Sequence, residues 1–146
     1  MRRRGGFKRR NFTLIEMVVV IVIIALLASV VTPMYFRHIR RAKSGTAKAQ
    51  IQLLEQAIFD FRLDTGKLPD QSGGLDLLLK NVSGVEKWDG PYLKQGMPKD
   101  PWGNSYIYKC PGEHGEFDLI SYGADGQPGG TGDNADIGNW IDEEAK

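Results

Sequence analysis

The chain changes its hydrophobic rhythm along its length. Met17 to Phe36 is an unbroken run of twenty uncharged residues, dense in Val, Ile and Leu. Such a run has no polar face, and its length matches what a helix needs to cross a bilayer core. A buried soluble helix is the competing reading, but a chain of 146 residues has no core large enough to surround it. A cleaved secretory signal ending near Leu26-Leu27-Ala28 is disfavoured too, because no loop follows it. Past Pro33 the rhythm becomes one-sided. Ala47, Ile51, Leu54, Ile58 and Phe61 recur by steps of four and three, one apolar face of an α-helix. Arg40, Arg41, Lys43, Lys48, Gln52, Glu55 and Arg62 fall largely on the other faces. Asp64-Thr65-Gly66-Lys67-Leu68-Pro69 gives the stop, with Gly as the cap and Pro soon after. The pattern predicts one helix from about Phe12 to Asp64, roughly 80 Å long at 1.5 Å per residue. Pro33 removes one backbone hydrogen bond and is expected to kink or loosen its middle.

Residues 66–105 are rich in Gly, Pro, Asp and Asn, and their one short apolar run, Leu75 to Leu79, reads as a helical turn. Ser105–Lys109 and Glu116–Tyr122 are β-branched and aromatic with partial alternation, and Pro111-Gly112-Glu113-His114-Gly115 supplies a turn between them. An isolated hairpin is marginal in water, so it is expected to lie on the apolar face of the amphipathic half-helix. Gly123 to Gly138 reads as an acidic, glycine-dense loop, with Trp140 tucking the C-terminal end back. The fold class is therefore α+β. A long N-terminal helix, half transmembrane and half amphipathic, packs on a small C-terminal antiparallel sheet beside that loop.

Charge sharpens this division. The overall balance is +1, yet the first eleven residues hold six Arg or Lys and no acid. From Gly112 onward there are nine acids and one base. A basic end next to an apolar run favours a cytoplasmic N-terminus, and the acidic remainder excludes nucleic-acid binding as the main task. The lone Cys110 cannot close an intrachain disulfide, and no Cys/His spacing fits zinc. His38 and His114 form no catalytic pair, and Trp88, Trp102 and Trp140 read as packing anchors. The basic band Arg37, Arg40, Arg41 and Lys43 reads as the membrane-exit face of the helix, or as a partner for acids of neighbouring subunits.

Two features carry chemistry. Glu16 sits at the start of the apolar segment, after Leu14 and Ile15, where an unpaired acid costs roughly 2.5–3.5 kcal/mol at helix-centre depth. Stabilisation by the helix N-terminus is typically under about 1 kcal/mol, so the carboxylate calls for a cation. If proteolysis made Phe12 the N-terminus, the free amine of a neighbouring copy would supply one. The second feature is the loop, where Asp125, Asp133, Asn134 and Asp136 lie within twelve residues. Three carboxylates plus carbonyls from a glycine-rich backbone suit a hard cation such as Ca²⁺, which takes about six to eight oxygens. Spacing alone favours a solvated acidic loop, since no EF-hand pattern is present.

Phe12-Thr13-Leu14-Ile15-Glu16 after a basic leader resembles the processing signal of type IV pilins and their pseudopilin relatives. Pro98-Lys99-Asp100-Pro101-Trp102-Gly103-Asn104, then Ser121-Tyr122-Gly123-Ala124-Asp125-Gly126, then Ala135-Asp136-Ile137-Gly138-Asn139-Trp140 narrow that resemblance. In that order they are similar to the major-pseudopilin family of type II secretion, general secretion pathway protein G. The resemblance implies a pilin-like fold and no enzymatic activity. It implies a leader, residues 1–11, cut by a prepilin peptidase between Asn11 and Phe12, with methylation of the Phe12 amine. The family has Gly where this chain has Asn11. Residues 12–36 become the membrane and assembly helix, with Glu16 as the assembly acid, and residues 37–146 the periplasmic head. One calcium is implied in the loop, with Asp125 and Asp136 as the first side-chain ligands, Asp133 next, and Tyr122 and Gln127 as carbonyl donors. The implied partners are further copies of the chain, minor pseudopilins, membrane lipid and an inner-membrane platform with its ATPase. The implied function is a subunit of a helical filament that drives export of folded proteins through the outer membrane. A type IV pilin of a surface pilus is the alternative, weakened by the lack of a C-terminal Cys pair.

Overall fold

The structure, a computed structural model, describes residues 12–140; the leader with Asn11 and the tail after Trp140 lie outside the described residues. Helix α1 runs Leu14–Thr65. The Thr13 hydroxyl accepts the N–H of Glu16 at 3.3 Å, which satisfies one of the free donors of the first turn. Thr13 and Glu16 have the spacing of a capping box. At the other end Gly66 has φ 75° and its N–H reaches the Arg62 carbonyl at 2.8 Å, a left-handed cap that glycine adopts without strain. Helical structure persists through Pro33. Nearby, Ser29 Oγ and Thr32 Oγ1 donate to the Leu26 and Ala28 carbonyls, each at 2.7 Å.

The chain divides into two compact units between His38 and Ile39. In the first, the apolar side chains of α1 are exposed, Leu14 by 82% and Val30 by 72%. That stretch is long and apolar enough to cross a membrane.

In the second unit the predicted stripe of α1 is the core: Ala47, Ile51, Leu54, Ile58 and Phe61 are buried, and Ala57 joins them. Burial of a large aliphatic or aromatic side chain is worth about 1.5–3 kcal/mol, so this stripe fixes which face of the helix points inward. Leu77 and Leu78 of a 3₁₀ turn, Gly74–Leu78, pack into the same cluster with Val85, Tyr106, Leu119 and Ile137. The intervening loops are tied to it by directed contacts. Trp88 Nε1 donates to the Leu77 carbonyl at 2.7 Å, and Tyr92 meets Phe61 edge-on at 5.6 Å while its hydroxyl donates to Asp64.

The sheet has three antiparallel strands in the order β1-β2-β3: β1 Ile107–Lys109, β2 Asp118–Ser121 and β3 Ile137–Gly138. Tyr108 pairs with Leu119, and Ser121 with Ile137. The expected hairpin is present. The expected loop from Gly123 to Gly138 is not loop throughout: its end supplies β3, and Gly132–Asn134 forms a 3₁₀ turn. With β3 in place the central strand β2 is buried at all four residues.

Candidate functional site

The Pro98–Tyr106 segment and the acidic loop form one polar assembly. Asp100, 4% exposed, uses Oδ1 to accept the backbone N–H of Trp102 at 3.1 Å and of Asn104 at 2.7 Å. Its Oδ2 accepts the Ser121 hydroxyl at 2.6 Å. A buried carboxylate is tolerated when such donors replace water. Asn104 Nδ2 then donates to the Gly123 carbonyl at 2.7 Å. The loop closes on itself where the Ala124 N–H reaches the Asp133 carbonyl at 2.8 Å. Gly123, at φ 65°, lies so close to this crossing that a Cβ would stand 2.6 Å from the Asp133 carbonyl oxygen. Only glycine fits.

The candidate ligands are held differently from one another. Asp125, exposed, accepts the Gln127 N–H at 3.1 Å. Asp136 Oδ2 accepts the Gly129 N–H at 2.8 Å, while its Oδ1 is buried without a hydrogen-bond partner among the described residues. Asp133 faces Arg40 of α1 at 3.6 Å. Among the described residues no three His, Cys, Asp or Glu side chains converge as a metal cluster. A cation here would draw most of its oxygens from backbone carbonyls, such as those of Tyr122 and Gln127. The orphaned Oδ1 of Asp136 suits that chemistry, because a buried anionic oxygen without a donor is costly unless a cation or water meets it.

A second clasp holds the C-terminal end. Asp118, 1% exposed, accepts the backbone N–H groups of Glu113 and His114 at 2.8 and 3.1 Å, and its Oδ2 lies 3.0 Å from His114 Nδ1. Burial alone would raise the Asp118 carboxyl, but the bonds from His114 and the two backbone N–H groups outweigh it and hold it below the usual carboxylate range. The His114 ring stacks on Trp140 at 3.8 Å and 4°. Gly138 makes room for this, since a Cβ there would stand 2.6 Å from the indole.

In the membrane-competent half, Phe12 is 70% exposed. None of the ion pairs among the described residues involves Glu16. The sequence reading passed over Asp100, Ser121 and Asn104 as site residues. An Asp followed by Pro, Gly and Asn is an Asx-turn signal that could have marked the first and last of them; nothing in the pattern marks Ser121.

A family model described as "Type II secretion system (T2SS), protein G" matches residues 34–140. The chain belongs to that family. A second model, "Prokaryotic N-terminal methylation motif", matches residues 8–32 and so covers Phe12 and Glu16. Type II secretion system core protein G of Pseudomonas aeruginosa is 43% identical over 145 residues, covering 96% of this chain and 99% of that one. The core protein G of Vibrio cholerae is 42% identical over 136 residues, 91% of this chain and 92% of that one. Among solved structures, the major pseudopilin from the type 2 secretion system of enterohaemorrhagic Escherichia coli superposes with a TM-score of 0.58 at 32% identity, over 68% of this chain and 88% of that one. A protein G of this family is a structural pseudopilin subunit rather than an enzyme, and the pilin-like fold described above is the one expected of it. The one membrane-competent helix among the described residues, apolar and N-terminal, is consistent with an inner-membrane anchor.

Proposed function

We propose that the chain is the major subunit of a type II secretion pseudopilus, a helical filament whose growth drives folded proteins through the outer membrane. Before assembly it is held in the inner membrane by residues 12–36, with the basic leader cytoplasmic and the head periplasmic. A prepilin peptidase cuts between Asn11 and Phe12, and the Phe12 amine is methylated. Glu16 of one subunit then pairs with the Phe12 amine of its neighbour as the apolar helices stack. Minor pseudopilins and an inner-membrane platform with its ATPase complete the machine. The observation that carries this reading is the apolar first half of α1, exposed along its length, with an acid in its first turn. Lipid or other copies of the helix must cover that surface, and a processed neighbouring copy brings its Phe12 amine to the acid. Contacts that do not close on themselves produce a filament.

Calcium belongs to the same proposal. Asp125 and Asp136, with Asp133 next and the Tyr122 and Gln127 carbonyls, would hold it. When bound, it neutralises the loop carboxylates and orders a glycine-dense segment, so the stability of the head is linked to calcium concentration. Mass spectrometry of the N-terminal peptide of the membrane-extracted protein tests the processing step. A peptide beginning at methylated Phe12 is expected; an intact leader on the assembled protein overturns it.

A further inference from the structure

We propose that Asn104 is the positioning residue of the cation loop, the side chain that sets the Tyr122–Gln127 backbone in place before the ion arrives. This rests on the calcium reading above.

Asn104 is itself held at both backbone ends. Its N–H donates to Asp100 Oδ1 at 2.7 Å, and its carbonyl accepts the Asp100 N–H at 2.9 Å. Its side chain therefore projects from a fixed base. Nδ2 holds the Gly123 carbonyl at 2.7 Å. The same amide group faces Gly126, 3.7 Å from where a Cβ at that glycine would stand. One side chain thus bonds the loop before Asp125 and faces it just after. Upstream, the Ser121 hydroxyl donates to Asp100 Oδ2 and accepts the Gly123 N–H at 3.3 Å, so the strand end entering the loop is anchored to the same turn.

The physical need follows from composition. Gly123 and Gly126 both take positive φ, 65° and 64°, and glycine loses more conformational freedom on ordering than any other residue. The donor set has no three-carboxylate cluster to hold itself together, so its backbone oxygens must be placed by something outside the loop. Groups that orient metal ligands without touching the metal typically contribute about 10–100-fold in affinity. Asn104 has the contacts for that role.

The test is a calcium titration by calorimetry on the full chain in detergent micelles, comparing wild type with Asn104→Asp, Asn104→Ala and Asp125→Ala. Asn104→Asp keeps the shape, removes the Nδ2 donor and adds a negative charge. Charge alone would tighten calcium binding; loss of positioning weakens it. The expected result is a Kd raised at least about tenfold in both Asn104 variants, with a folded metal-free head by circular dichroism. A Kd within twofold of wild type, or a tighter one in Asn104→Asp, overturns the positioning role while leaving the calcium site intact. Absence of calcium heat in the wild type overturns the calcium reading and this role with it. Should Asn104→Ala fail to fold, Asn104→Asp decides; failure of both to fold overturns the assignment, because Asn104 is then a stability residue.

Discussion

Asp118→Ala isolates the clasp that closes the sheet end of the head. The carboxylate is 1% exposed and accepts three hydrogen bonds, from the N–H groups of Glu113 and His114 and from the His114 ring. A hydrogen bond to a charged group is worth about 1.5–3 kcal/mol when its loss leaves a buried partner. Here the donors sit in an exposed turn, where water replaces part of each bond, so about 1 kcal/mol apiece is the better figure. The expected loss is about 2–4 kcal/mol, a large share of a small domain's stability. The pH dependence has a definite sign. The folded carboxyl lies below its ordinary value, so the unfolded chain takes up a proton first as pH falls. Its contribution is full above about pH 4, near the unfolded carboxyl, and is lost as pH drops through the lower folded value. Urea unfolding of the full chain in a mild detergent, followed by tryptophan fluorescence, measures both effects. Wild type and Asp118→Ala should differ by about 2–4 kcal/mol at pH 7, and the gap should narrow as pH falls below about 4. A difference under about 1 kcal/mol at pH 7, or a gap unchanged down to about pH 3, refutes the reasoning.

Phe61→Ala removes a fully buried ring that meets Tyr92 edge-on; the expected cost is about 3–5 kcal/mol in the same urea assay, and under about 1.5 kcal/mol would mean the site collapses without harm. Chelation of calcium should lower the unfolding temperature of the full chain, and Asp125→Ala should abolish that response; identical melting curves with and without calcium would reject the metal site.

The helix was legible because its two halves obey simple rules. Twenty uncharged, mostly apolar residues in a row need a membrane or a partner, and the Ala47 to Phe61 stripe needs a core. The hairpin was legible for the same reason, since β-branched and aromatic runs flank a Pro-Gly turn. Strand β3 was not, because two residues of which one is glycine carry no periodicity; its partner β2 selects it through pairing. Nor did spacing show where the polar side chains would go. Arg40, read as part of a membrane-exit face or as a partner for neighbouring acids, also meets Asp133 of the same chain across 92 intervening residues. Glu55 and Arg62, placed among the outward-facing residues, bond to Asn139 and Glu116. These pairings depend on tertiary register, which local pattern does not encode. Asp100 is the clearest instance: an ordinary turn residue by sequence, it is buried once Ser121 folds over it.

The central claim is that the acid in the first turn of α1 works between subunits and not within one. Electron microscopy of filaments sheared from cells producing wild type or Glu16→Leu, with the membrane-inserted, processed protein quantified in both, tests it most directly. The account predicts abundant filaments from wild type and none from Glu16→Leu at equal levels of processed protein; filaments and secretion unaltered by Glu16→Leu would contradict it.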